Sequence, residues 1–128
     1  LVFARLARAD AADGAVVDGF PRTVAQARAL DGWLSDHGGA VGAAISLDVP
    51  DDALVRRIVE RRDASQRRDD TADTAARRLA VFRAELPTVL AHYAERGLLH
   101  RIDGAQTIDA EAVRVPQRLA ALGNGNTR

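Results

Sequence analysis

Apolar residues recur along the chain in short blocks, and their spacing changes from block to block. Val2, Phe3 and Leu6 stand at helical spacing, which predicts the tail of a helix. Asp10 to Gly14 is a turn by composition. Ala15, Val16 and Val17 form a brief apolar run that closes on Asp18 and a Gly19-Phe20-Pro21 loop, the pattern of a buried strand with a carboxylate at its end. Thr23 and Gln26 then supply a hydroxyl at a helix N-cap and an amide at its third position, as in a capping box. Ala27, Leu30, Trp33 and Leu34 give the helix that follows one apolar face, and Gly38-Gly39 stops it.

The same grammar repeats downstream. A second strand is predicted at about Gly42 to Leu47, with Asp48 at its end. Pro50-Asp51-Asp52 opens a helix, where acidic residues suit the positive end of the dipole, and Leu54, Val55, Ile58 and Val59 form its stripe. Arg61 to Asp70 has no apolar residue larger than alanine and reads as a short exposed loop. Leu79, Phe82, Leu86, Leu90 and Tyr93 predict a long helix that Pro87 must kink or split and Gly97 must end. Leu98 to Ile102 is a third strand, closing on Asp103-Gly104, and Ile108 to Leu122 a last helix. Strands alternating with helices predict an α/β fold, a parallel sheet flanked by helices, with ligands beyond the carboxyl ends of the strands. Each predicted strand ends in an Asp-containing turn at that edge.

Composition bounds this picture. A chain of 128 residues is one domain's worth, and 47% apolar with 28% charged content is ordinary for a globular protein. No apolar run is long enough to span a bilayer, and nothing reads as a signal peptide, so the cytoplasm is the expected location. Without cysteine there is no disulfide and no thiolate metal site. A net charge of zero gives no electrostatic case for nucleic acid or a membrane as partner. All 18 basic residues are arginine, a bias that a GC-rich coding sequence would produce by itself. One chemical consequence is firm: a GxxxxGK[ST] phosphate loop, which needs its lysine, does not occur in this sequence. His37, His92 and His100 show no metal-ligand spacing and read as surface or satisfied residues.

Two constellations could carry chemistry. Asp18, Gly19 and Arg22, with Gln26, set a carboxylate, a flexible glycine and a guanidinium at one strand's carboxyl end, and a guanidinium offers a planar fork for a phosphate. A helix cap beside a solvated arginine accounts for the same residues. Arg57, Arg61 and Arg62, then Arg67, Arg68, Asp69, Asp70 and Arg78, gather guanidiniums round a polar loop, with Arg57 and Arg61 on one helix face. Such a cluster suits a polyphosphate whose charge moves during transfer. A solvated charge run with local pairs worth about 0–1 kcal/mol each fits it as well.

DGFPRTxxQAxxL, running from Asp18 to Leu30, resembles the signature of the adenylate kinases. LDVPDDALVRRIVERR, Leu47 to Arg62, resembles the segment entering that family's lid, and RRDDTADTAARRL, Arg67 to Leu79, the segment leaving it. The resemblance implies a P-loop nucleoside-monophosphate-kinase-like fold and reversible transfer of the ATP terminal phosphoryl to AMP, giving two ADP. It implies that Gly19, Arg22 and Gln26 bind AMP, with Arg67 and Arg78 also at its phosphate, and that Arg57, Arg61 and Gln106 lie on the ATP side. Arg22, Arg61, Arg67 and Arg78 would be catalytic, Asp69 and Asp70 would hold arginines in place, and Asp18 would order Mg2+ through water. Only Asp63 to Gln66 separates the two arginine clusters, as in the short-lid bacterial form, so residues 1–128 read as one partial core domain with a short lid at about 61–70 and no zinc. A monomeric parent is implied. Uridylate and cytidylate kinases resemble the signature but carry asparagine where this chain has Thr23, so a CMP or UMP kinase is the same-class alternative.

The resemblance covers the C-terminal two-thirds of such an enzyme. The chain opens on Leu1, and the family's phosphate loop, most of its AMP-binding helices and its first strand come earlier. That strand lies between those predicted at Ala15–Asp18 and Gly42–Leu47, so an incomplete sheet and an unstable, inactive chain are expected. The different-class alternative is a non-catalytic nucleotide-binding fragment.

Overall fold

The structure, a computed structural model, describes residues 1–65, 72–104, 116–117 and 120–121. Its elements run α1 (Val2–Leu6), a single 3-10 turn at Ala9–Ala11, α2 (Val24–Asp36), β1 (Ala44–Asp48), α3 (Asp51–Ser65), α4 (Ala72–Ala94) and β2 (Leu99–Asp103). β1 and β2 pair in parallel, in a register that sets Ala44 opposite Leu99 and Asp48 opposite Asp103. The architecture is the expected α/β one, a small parallel sheet flanked by helices.

Each helix stands on a local reason. Thr23 is extended at φ −129° and accepts from the Gln26 N–H, so α2 begins at its capping residue. α2 ends as expected, with the Gly39 N–H donating to Leu34 O at 2.8 Å and that of Gly38 to Ser35 O at 3.2 Å. α4 ends by the same motif: Leu98 N–H donates to Tyr93 O and Gly97 N–H to Ala94 O, both at 3.0 Å. Gly97 holds φ +69° there, a conformation that costs other residues energy, and it turns the chain directly into β2.

The core lies where α2 crosses α4 beside the sheet. Ala27, Val89 and Tyr93 are buried together, with Val41, Ala44, Leu98 and Leu99 packed against them. α1 docks by aromatic contact instead: the Phe3 ring stacks on Trp33 at 5.7 Å and meets Phe20 edge-on at 6.2 Å, while Trp33 stacks on His37 at 3.9 Å. Arg5 also pairs with Asp10 at 3.0 Å across the first turn.

Three local expectations change. Residues 15–18 form no strand: Val16 is 82% and Val17 36% exposed, and the described sheet consists of β1 and β2 alone. An apolar run has the propensity for a strand, but a strand exists only through a hydrogen-bonded neighbour, and the segment has none in that sheet. Arg61 to Ser65, read as loop, instead continues α3; Arg61, Arg62 and Ala64 are good helix formers and need no apolar face to extend a helix already nucleated. Pro87 does not split α4, which runs through it. The predicted α3 stripe is half right, since Leu54 and Ile58 are partly buried while Val55 and Val59 are exposed. Of the last predicted helix, the described residues 116–117 and 120–121 are helical, and the rest lies outside the described residues.

Candidate functional site

The loop from Asp18 to Arg22 folds onto the start of α2. Gly19 adopts φ +75°, the Phe20–Pro21 bond is cis, and the Arg22 Nε donates to Gly19 O at 2.8 Å. The Arg22 backbone N–H donates to Gln26 Oε1 at 2.8 Å, while the Gln26 N–H donates to Thr23 Oγ1 at 3.2 Å. This is a capping box displaced by one residue, the amide reaching past the N-cap to the residue before it. Its effect is to fix Gly19, Arg22 and Gln26 as one exposed group at the positive end of α2, where an anion is favoured. With Nε on Gly19 O, the exposed Arg22 guanidinium lies along the loop, its NH2 3.5 Å from where a Cβ on Gly19 would stand. Asp18, exposed, lines a cleft of about 760 Å³ between α1 and residues 14–18, alongside Val16 and Val17.

A second group sits past the carboxyl ends of the strands. The Gly104 N–H donates to Asp48 O at 3.0 Å, extending the ladder by one residue, and Arg57 reaches from α3 to donate to Gly104 O at 2.9 Å. Gly104 is buried against Val49: a Cβ there would lie 2.7 Å from Val49 Cγ2 and 3.2 Å from Leu47 Cβ. Within the sheet, Arg101 donates to both Asp48 oxygens, at 3.1 and 3.2 Å, and Ser46 Oγ donates to Asp48 Oδ1 at 3.1 Å. Asp48 is thereby committed to structure. Arg61 and Arg78 stand exposed on α3 and α4, Arg61 one turn beyond Arg57. Arg67, Asp69, Asp70 and Gln106 lie outside the described residues, as does the remainder of the expected lid after Ser65.

Two arrangements escaped the sequence reading. Arg83, on α4, donates to Val49 O at 3.0 Å and pairs with Asp51, tying α4 to the β1–α3 turn. Asp31, on α2, accepts from His92 Nε2 and Arg96 NH1, both at 2.6 Å. A carboxylate oxygen can only accept, so His92 carries its hydrogen on Nε2. The signal available was His92 and Arg96 four apart before Gly97, but nothing in the sequence matched them to Asp31, 61 residues from His92. Burial raises the Tyr93 hydroxyl above its ordinary 10.0, Asp31 adds to that shift, and Arg96 opposes it. Among the described residues no group of three or more His, Cys, Asp or Glu side chains could hold a metal ion, and no helix is long and apolar enough to cross a membrane.

Comparison with known proteins bears on the whole of this frame. The adenylate kinase family profile matches residues 1–98. The adenylate kinase of Micrococcus luteus is 39% identical over 122 residues, covering 95% of this chain and 60% of its own length. That of Xylella fastidiosa strain M12 is 42% identical over 120 residues, covering 93% and 62%, and that of Xanthomonas campestris pv. campestris strain B100 is 42% identical over 116 residues, covering 91% and 62%. The chain thus spans about three-fifths of the length of these curated relatives. Since the Arg22 loop, α2, β1 and the Arg57 helix all fall inside the matched stretch, the chain belongs to the adenylate kinase family.

Proposed function

We propose that the protein to which this chain corresponds is an adenylate kinase, moving the terminal phosphoryl of ATP onto AMP and giving two ADP. The observation that carries the reading is the joined group of Gly19, Arg22 and Gln26: an exposed guanidinium and an oriented amide, fixed together at a helix N-terminus. Arg22 holds the AMP phosphate through its two terminal nitrogens. Gln26 donates from Nε2 to an acceptor on the adenine edge. Arg57, held at Gly104 O, lies against the ATP adenine, with Gln106 on the same side. Arg61, Arg67 and Arg78 surround the phosphates and stabilise the charge in flight, Arg67 and Arg78 from the AMP side, while Asp69 and Asp70 steady these arginines. No general base is needed, because the accepting phosphate oxygen is already anionic.

Mg2+ fits the donors present. It keeps several waters and takes one or two carboxylates together with the substrate's own phosphates, so one exposed carboxylate, Asp18, meets its demand through water. When bound, the ion neutralises charge on the nucleotide phosphates. ATP, AMP and ADP are the partners of this reading, on a cytoplasmic monomer with a short lid about 61–70.

The test is coupled ADP production with AMP, CMP and UMP offered in turn as acceptor, comparing this chain with one completed by the N-terminal third of a relative. The completed chain is expected to turn over with AMP preferred. Preference for CMP or UMP would shift the assignment to another nucleoside monophosphate kinase. ATP binding without turnover in either form would make the protein a nucleotide-binding module.

A further inference from the structure

The contact between α2 and α4 mixes two kinds of interaction. Its apolar part on α2 is small, the buried Ala27 against Val89 and Tyr93. The hydrophobic driving force is non-directional, and a contact this small constrains the rotation and height of one helix on another only weakly. Asp31 supplies what that contact lacks. Its side chain is 16% exposed, and one oxygen, Oδ2, takes both the His92 and the Arg96 hydrogen bonds at 2.6 Å. The other, Oδ1, is buried and has no hydrogen-bond partner among the described residues. A carboxylate so placed forgoes part of its hydrogen bonding, and ion pairs drawn out of water are often no better for stability than apolar replacements of equal volume. Their best-attested role is to specify one register among several. The cap at Gly97 serves the same contact, ending α4 so that Arg96 stands one turn after His92 and both meet a single carboxylate.

We propose that Asp31 is a positioning residue that sets the rotation and height of α2 on α4, and through α2 the place of Arg22 and Gln26. The proposal rests on the reading of Arg22 and Gln26 as the monophosphate-binding group. Gln26 is five residues before Asp31 on the same rigid helix, so a turn or slide of α2 at Asp31 is passed on to that group. Misplacement of about 1 Å is enough to weaken a geometrically demanding site by one to two orders of magnitude.

The experiment compares the unsubstituted chain with the double variant Asp31→Leu/His92→Leu, which replaces the part-buried pair by apolar side chains. The chain has no cysteine, so Arg28→Cys and Ala84→Cys, at exposed positions of α2 and α4, take spin labels at those sites alone. The expected result is a narrow interlabel distance in the parent that broadens or shifts by about 1–2 Å, the scale of helix displacements, in the double variant. Thermal unfolding should stay within a few degrees, and AMP affinity by calorimetry should fall at least about tenfold. An unchanged distance distribution would overturn the proposal. So would a changed distribution with AMP affinity intact, or a collapse of thermal stability that the single variant Asp31→Asn shares. If the unsubstituted chain does not bind AMP, the reading of Arg22 and Gln26 in this chain fails, and the distance comparison still decides whether Asp31 places α2.

Discussion

The backbone N–H of Arg22 donates to Gln26 Oε1 at 2.8 Å, and that bond settles which way the Gln26 amide points. A backbone N–H cannot donate to an NH2 group, so the oxygen faces Arg22 and the nitrogen, with its two hydrogens, faces solvent. Gln26→Glu keeps the oxygen and removes the donors. We expect stability to change by no more than about 0.5–1 kcal/mol, since a carboxylate also suits the first turn of a helix. AMP affinity should fall about tenfold or more, the loss of one well-placed donor. Denaturant unfolding and calorimetric titration separate the two quantities.

Arg22 donates from Nε to Gly19 O, and in the proposed reading its terminal nitrogens take the AMP phosphate. Lysine offers a point charge with neither the internal anchor nor the two parallel donors. Arg22→Lys should therefore weaken phosphate binding by about 1.5–3 kcal/mol while leaving net charge unchanged. An affinity for AMP equal to that of the unsubstituted chain would show that charge alone is used there.

Much of this was legible from residue spacing. Thr23 and Gln26 marked the start of α2, Gly38 and Gly97 marked two helix ends, and Asp48 and Asp103 marked the paired ends of β1 and β2. These features are local, decided within one turn of chain. Val16 and Val17 failed as a strand because pairing depends on a neighbour elsewhere in the sequence. Arg61–Ser65 failed as a loop because helix extension needs propensity and a preceding turn, and apolarity is irrelevant to it. The Asp31–His92 pair was illegible for the same long-range reason, although the loop holding Arg22 was read correctly from its own residues.

Gly104 sits where the ladder, α3 and Arg57 meet. A Cβ 2.7 Å from Val49 Cγ2 forces a shift, so Gly104→Ala should cost about 1–3 kcal/mol. The same shift moves the carbonyl that holds Arg57. Thermal denaturation should show a lowered midpoint, and nucleotide titration should show ATP affinity falling with it. A midpoint equal to that of the parent would mean that Val49 yields freely.

Tyr93 gives the fold an alkaline limit. Its hydroxyl is buried without a hydrogen-bond partner among the described residues, and burial with Asp31 nearby raises its titration above 10.0. Below that ordinary value both folded and unfolded chains keep the proton, and this group favours neither. As pH rises from about 10 through the raised value, the unfolded chain ionises first, so stability falls. Tyr93→Phe should be neutral or slightly stabilising at pH 7, because it deletes an unmatched buried polar atom. It should also flatten the loss that sets in above about pH 10 in denaturant titrations.

Phe3, Trp33 and His37 form a continuous stack from the first helix to the end of α2. Trp33 is the chain's sole tryptophan. The molecule therefore carries a built-in optical probe at one joint: indole emission reports whether the leading helix is seated on α2, unmixed with signal from any other tryptophan. Any polypeptide or ligand that captures or displaces that leading segment announces itself in the spectrum without a label.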